Sequence, residues 1–184
     1  MLVDYLRFIN HYLMKPIKVA IVESDKATRM MLTGMLPTLS RGTIQILMEA
    51  TTGAELLYKL SGQLPDIVVM DMFTPVMEGI ETSGYVRALF PEITLVAMAS
   101  GVDDFDPALM EILGIQSVLL RDQPLEFMVA ALHSIATGSV VMPKIKATSP
   151  PKYSAPVPVA KAGFLLPYRV YAPDKDRVRS GELV

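Results

Sequence analysis

The sequence contains no cysteine and no tryptophan, and only two histidines, His11 and His133. Without thiols, disulfides, thiolate nucleophiles and Cys-ligated zinc are excluded together, and two imidazoles far apart in sequence give no basis for histidine-rich metal catalysis. Long apolar runs are missing as well. The longest uncharged stretch, Phe127 to Pro143, is broken by His133, Ser134, Thr137, Gly138 and Ser139, so no membrane-spanning helix is expected. Asp4 and Arg7 interrupt the apolar pattern of the N-terminus, which spoils the continuous segment a secretory signal needs. A cytoplasmic protein with no membrane partner is expected. The stretch after the first apolar run, ESDKATR, has no glycine, which leaves nucleotide binding of the Rossmann or P-loop kind without support.

What is present is a chain of 184 residues, 51% hydrophobic and 20% charged, enough to bury one ordinary core with a modest appendage. The net charge of -2 hides two different regions. Residues 143–184 carry +5 and half of the fourteen prolines, whereas residues 1–142 carry -7 and all thirteen methionines. A domain boundary is therefore placed near Met142. Three segments follow: an N-terminal extension (1–16), a core (17–142), and a basic, proline-rich tail or linker (143–184) expected to be extended or partly disordered, and too short and proline-rich for a helix-turn-helix domain.

Within the core, short apolar runs alternate with helical patterns. Strands are predicted at Ile17 to Val22, Ile44 to Glu49, Ile67 to Asp71, Thr94 to Met98 and Ser117 to Leu120, mostly β-branched and with little polar alternation, as in strands covered on both faces. Helical spacing marks Ala27 to Leu36, Gly53 to Ser61, Glu81 to Leu89, Asp106 to Ile112 and Leu125 to Thr137. Five β–α units imply an α/β fold, a five-stranded parallel sheet with helices on both faces. Leu2, Leu6, Ile9 and Leu13 form one stripe of a further N-terminal helix, which either packs on its own domain or mediates a homodimer. The methionines Met30, Met31, Met35, Met110 and Met128 on predicted helices are read as core filler, ahead of the alternative of an adaptable partner surface.

In an open parallel sheet, function gathers beyond the carboxyl ends of the strands. Those ends carry Glu23-Ser24-Asp25, Asp71, Ser100 and Arg121-Asp122. Converging acids at a strand edge repel unless a hard cation bridges them or one is protonated, and Mg2+ is the natural cation. Asp71 would then be a nucleophile toward a phosphoryl group, with Arg121 pairing the phosphate oxygens. The blander alternative is that Asp71 caps a turn and Arg121 forms a structural ion pair. A phosphatase of the haloacid-dehalogenase type is rejected, because it needs Asp-x-Asp and this chain has Asp71-Met72-Phe73.

The stretch from Asp71 through Pro75 to Gly79, with Glu23-Ser24 upstream and Leu119-Leu120-Arg121-Asp122 downstream, resembles the receiver domains of two-component response regulators. Leu132 to Gly138 is similar to the last receiver helix of the LuxR-type (NarL/FixJ) subgroup. The resemblance covers residues 17–142 and implies a flavodoxin-like, CheY-like fold. It also implies a phosphoacceptor at Asp71, an acidic pocket of Glu23 and Asp25, and phosphate contacts from Arg121 and Ser100. Mg2+ would be held by Asp71, Glu23 and the backbone carbonyl of Phe73. The implied partners are a histidine kinase or phosphotransfer protein upstream and a protein partner downstream; direct DNA binding, which the subgroup resemblance would suggest, is not expected of the short, proline-rich tail.

Departures from the family pattern weaken the switch. Ser24 stands where the family has a second acid, which lowers the expected Mg2+ affinity. Met98 stands at the switch hydroxyl, Ser100 falls two residues later, and Arg121 replaces the invariant lysine with a different donor geometry. Phe73 is expected to cover the pocket. The expectation is an atypical, non-enzymatic receiver that signals through protein–protein contact, with conventional phosphorylation at Asp71 and a LuxR-type transcription regulator, or a fragment of one, as alternatives.

Overall fold

The computed structural model describes residues 15–72, 79–101 and 107–142, together with the backbone of 153–157 and 170–173; of 107–109 only the backbone is described. The expected N-terminal helix, most of the tail and Phe73 lie outside the described residues. In chain order the core comprises β1 (Ile17–Val22), α1 (Lys26–Leu39), β2 (Ile44–Ala50), α2 (Gly53–Leu60), β3 (Ile67–Asp71), α3 (Gly79–Leu89), β4 (Thr94–Ala99), α4 (Pro107–Leu113), β5 (Ile115–Leu120) and α5 (Leu125–Ala136). Farther along, β6 (Tyr153–Val157) and β7 (Val170–Pro173) pair antiparallel.

The first five strands form one parallel sheet in the order β2-β1-β3-β4-β5. Side chains alternate between two apolar layers, as the period of a strand requires. Val19, Ile21, Ile67, Val69, Val96 and Met98 face one layer, closed by Leu32 and Leu36 of α1 and by Met128, Leu132 and Ile135 of α5. Ala20, Val22, Val68, Met70, Leu95 and Ala97 face the other, closed by Leu56 and Leu60 of α2, Val86 of α3 and Met110 of α4. Two covered faces explain why these strands read as continuous apolar runs rather than alternating ones.

Two sequence expectations change. The first helix was expected to stop at Leu36, before Pro37, yet α1 runs on to Leu39. Pro37 cannot make the bond its missing N–H would have made, and Ser40 closes the end by donating its N–H to the Leu36 carbonyl and its hydroxyl to Pro37 O. The methionines are not uniformly core filler. Met110 and Met128 are buried, but Met30, Met31 and Met35 are exposed. At 100° per residue Met30 and Met31 fall on the side of α1 away from the buried Leu32 and Leu36, and Met35 falls on its flank, so the sheet does not cover them.

Candidate functional site

The sheet order reverses direction at β1, which has β2 on one side and β3 on the other. Such a switch point opens a crevice at the carboxyl ends of the two central strands, because their following helices leave toward opposite faces. Val22 registers with Met70, so the residues that follow, Glu23 and Asp71, stand side by side at that crevice. Both are buried, Glu23 to 1% exposure and the Asp71 side chain to 8%.

Two buried carboxylates need positive charge between them. Arg121, the first residue after β5, supplies it. Its N–H donates to the Ala99 carbonyl at 2.9 Å, which fixes the backbone against the end of β4. The side chain crosses the sheet end from there. Nη2 lies 2.7 Å from Asp71 Oδ2, and Nη1 meets Glu23 Oε2 at 2.6 Å as a charge contact without hydrogen-bond alignment. Neighbouring strands are about 4.8 Å apart, so only a long side chain starting at β5 can pass β4 to reach these acids. The planar fork then gives each acid its own nitrogen, which a single ammonium would not do. Burial is the largest influence on the guanidinium and works against its charge; Asp71 and then Glu23 outweigh it and hold Arg121 above the ordinary arginine value.

The other predicted residues are arranged differently. Asp25 does not join the pair through its carboxylate: it is the N-cap of α1, and its Oδ1 accepts the Thr28 N–H at 2.8 Å. That bond is the main reason its carboxyl is held below the usual value. Only the backbone of Asp25 serves the pocket, donating N–H to Glu23 Oε1 at 2.9 Å. Ser24 is exposed, and its carbonyl accepts from Arg29 Nη1 at 3.4 Å. Arg29 also donates to Glu23 O at 2.8 Å and pairs with Glu49 at 3.3 Å, so it braces the turn after β1. Met98 is buried and registers directly with Asp71, while Ser100 is exposed beyond the strand end. The structure therefore brings together Glu23, Asp71 and Arg121, and leaves Asp25 and Ser100 outside that contact.

The donor set does not fit Mg2+ well. Magnesium demands a near-ideal octahedron of oxygens, in which free carboxylate oxygens are joined by waters. Here Ser24 and Asp25 contribute no carboxylate, the guanidinium stands against one oxygen of each remaining acid, and among the described residues no three Asp, Glu or His side chains converge. The sequence offered Arg121 as a phosphate partner or as half of a structural ion pair, but it did not single out Glu23 as its partner. The signal was present as a charge balance: one acid fewer at Ser24 and a forked cation in place of a lysine.

No protein-family model matches the chain. Among curated proteins it is 25% identical over 130 residues to the response regulator protein VraR of Staphylococcus aureus, covering 70% of this chain and 61% of that one. It is 34% identical over 87 residues to a protein-glutamate methylesterase/protein-glutamine glutaminase of Clostridium acetobutylicum, covering 47% of this chain and 25% of that protein. The chain thus spans less than two thirds of these relatives. Among solved structures, the signal receiver domain of the response regulator NarL from Mycobacterium tuberculosis superposes with a TM-score of 0.60 at 23% identity, over 68% of this chain and 99% of that one. The core has the fold of response-regulator receivers, as expected, and no helix among the described residues is long and apolar enough to cross a membrane.

Proposed function

We propose, from the receiver fold that the core adopts, that this chain is an atypical response-regulator receiver that acts in signal transduction through protein–protein contact and switches weakly or not at all on phosphorylation. The observation that carries the reading is the occupation of the acid pair by Arg121, at 2.7 Å from Asp71 and 2.6 Å from Glu23. An incoming phosphoryl group would have to compete with Glu23 for that cation, and Met98, registered with Asp71, offers no hydroxyl to hold a phosphoryl oxygen. Coupling between the pocket and the far face then has little differential contact to draw on.

In this reading the chain is not an enzyme in its own right; the methylesterase name belongs to a protein of which this chain matches a quarter. A histidine kinase or phosphotransfer protein upstream, a protein partner downstream and a second copy of the chain are the partners it calls for. Conventional phosphorylation at Asp71 is the second reading, favoured by the place of Asp71 at the end of a buried strand beside a cation.

Incubation of the full chain with an acyl phosphodonor and Mg2+, followed by intact-mass measurement of wild type and Asp71→Ala, separates the two. A phosphoryl increment absent from both chains, or confined to a small fraction of wild type, supports the first reading. Its appearance on most wild-type molecules, lost in Asp71→Ala, establishes the second.

A further inference from the structure

We infer that Arg121 is the resident cation of the Glu23–Asp71 pair, so that the pocket takes no divalent ion while the guanidinium is in place and becomes a divalent-ion site when it is removed. The inference concerns the pocket of the proposed function and deepens that reading.

The guanidinium contacts one oxygen of each acid with a different nitrogen, the bridging position a metal ion would take between two carboxylates. It is permanently charged, so no change of pH in the working range vacates the position. Its backbone is held by the Ala99 carbonyl and its side chain is only 25% exposed, so it is not a loosely placed surface arginine. A divalent ion brought to the same oxygens would face a fixed positive charge a few ångströms away. Among the described residues the neighbours add no carboxylate to the donor set, since Asp25 is committed to Thr28 and Ser24 is exposed and neutral.

Without the guanidinium the situation inverts. Glu23 and Asp71 would then be two hard-oxygen donors, almost wholly buried and side by side at the strand ends, without the guanidinium charge that now faces both. Such a pair recruits a hard divalent cation or destabilises the fold.

The test uses the full chain and the metal alone. Mn2+ binding is measured by calorimetry for wild type, Arg121→Gln and the double variant Asp71→Asn/Arg121→Gln. Thermal unfolding is followed in millimolar MgCl2 against NaCl of matched ionic strength. Wild type is expected to bind Mn2+ at least about tenfold more weakly than Arg121→Gln, and the double variant to lose the gain. MgCl2 should raise the midpoint of Arg121→Gln by about 2 °C or more and leave that of wild type within about 1 °C. Wild-type affinity within tenfold of the variant's, or a folded Arg121→Gln that ignores both ions, overturns the inference. Should Arg121→Gln fail to fold in NaCl, recovery in MgCl2 or in the double variant supports the inference, and persistence of the unfolded state in both overturns it. A wild type that accepts phosphate yet ignores Mn2+ would sink the proposed function alone, whereas one that binds Mn2+ and takes no phosphate would sink this inference alone.

Discussion

Arg121 and Asp71, fifty residues apart, meet at 2.7 Å across the end of β4, and the same guanidinium also reaches Glu23 just after β1. One side chain therefore ties three of the five strands together at the edge of the core. Removing it takes the guanidinium charge away from two buried carboxylates, which is costlier than the pair was favourable. Arg121→Met is expected to lose about 3 kcal/mol or more in urea unfolding without added divalent ion. Asp71→Asn in that background should recover more than about 1 kcal/mol through the coupling of residues in contact. Additive losses in the four-member cycle would show that the ion pair carries no such weight.

A second charged cluster governs acid stability. At the start of α2, Thr52 Oγ1 accepts the Glu55 N–H, while Glu55 reaches back to Thr51 N and Oγ1 at 2.7 Å and forward to Lys59 at 2.7 Å. The Lys59 contact first, then the Thr51 bonds, lower the Glu55 carboxyl from 4.5 to about 2. A depressed carboxylate contributes stability that is complete above its unfolded value of 4.5 and is lost as pH falls toward about 2. Its side chain is 35% exposed, so solvent screening reduces the contribution to about 1 kcal/mol. Glu55→Gln should therefore cost about 1 kcal/mol at neutral pH and nothing near pH 2, with the two urea-midpoint curves converging between. Parallel curves over that range would remove Glu55 from the account of acid unfolding.

Much of this arrangement was legible in the sequence. Apolar runs of four to six residues separated by helical spacing are enough to write the sheet, because doubly covered strands leave so little polar alternation. Acids placed directly after those runs then locate the pocket. The choice between Asp25 facing the pocket and Asp25 capping α1 was not legible, since both uses suit an aspartate three residues before a backbone N–H that needs an acceptor. The reach of Arg121 to Glu23, ninety-eight residues away in sequence, depends on strand order and on where the backbone of β5 ends. Local pattern carries neither. The exposed methionines of α1 mislead for a related reason: methionine has the composition of core filler, and only the helix phase set by Leu32 and Leu36 turns Met30, Met31 and Met35 outward.

Gly79 closes the segment that begins at the acid. Its N–H donates to the Met72 carbonyl at 3.2 Å, and a Cβ on it would lie 2.6 Å from Met72 Cα. The opposing atom is backbone, which cannot swing aside. Gly79→Ala is thus expected to cost about 2 kcal/mol in urea unfolding, through forced movement of the chain next to Asp71. A loss below about 0.5 kcal/mol would mean that the approach relaxes freely.

Thr82 on α3 presents a buried hydroxyl with no hydrogen-bond partner among the described residues, packed against Gly53, the first residue of α2. An unsatisfied hydroxyl keeps its desolvation penalty and gains no bond in return, while its shape still fills space between the helices. Thr82→Val preserves that shape and removes the polar atom, so it is expected to stabilise the fold by about 1 kcal/mol. Gly53→Ala acts in the opposite direction, because its Cβ would come within 2.9 Å of Thr82 Cβ and overlap the hydroxyl, and a loss of about 1–3 kcal/mol is expected. Combining Gly53→Ala with Thr82→Ala opens the space the new methyl requires, and the pair should cost less than the sum of the single changes. Denaturant midpoints for the four chains check the set. If Thr82→Val destabilises instead, the hydroxyl has a partner and the tight approach of α2 to α3 is held by more than shape.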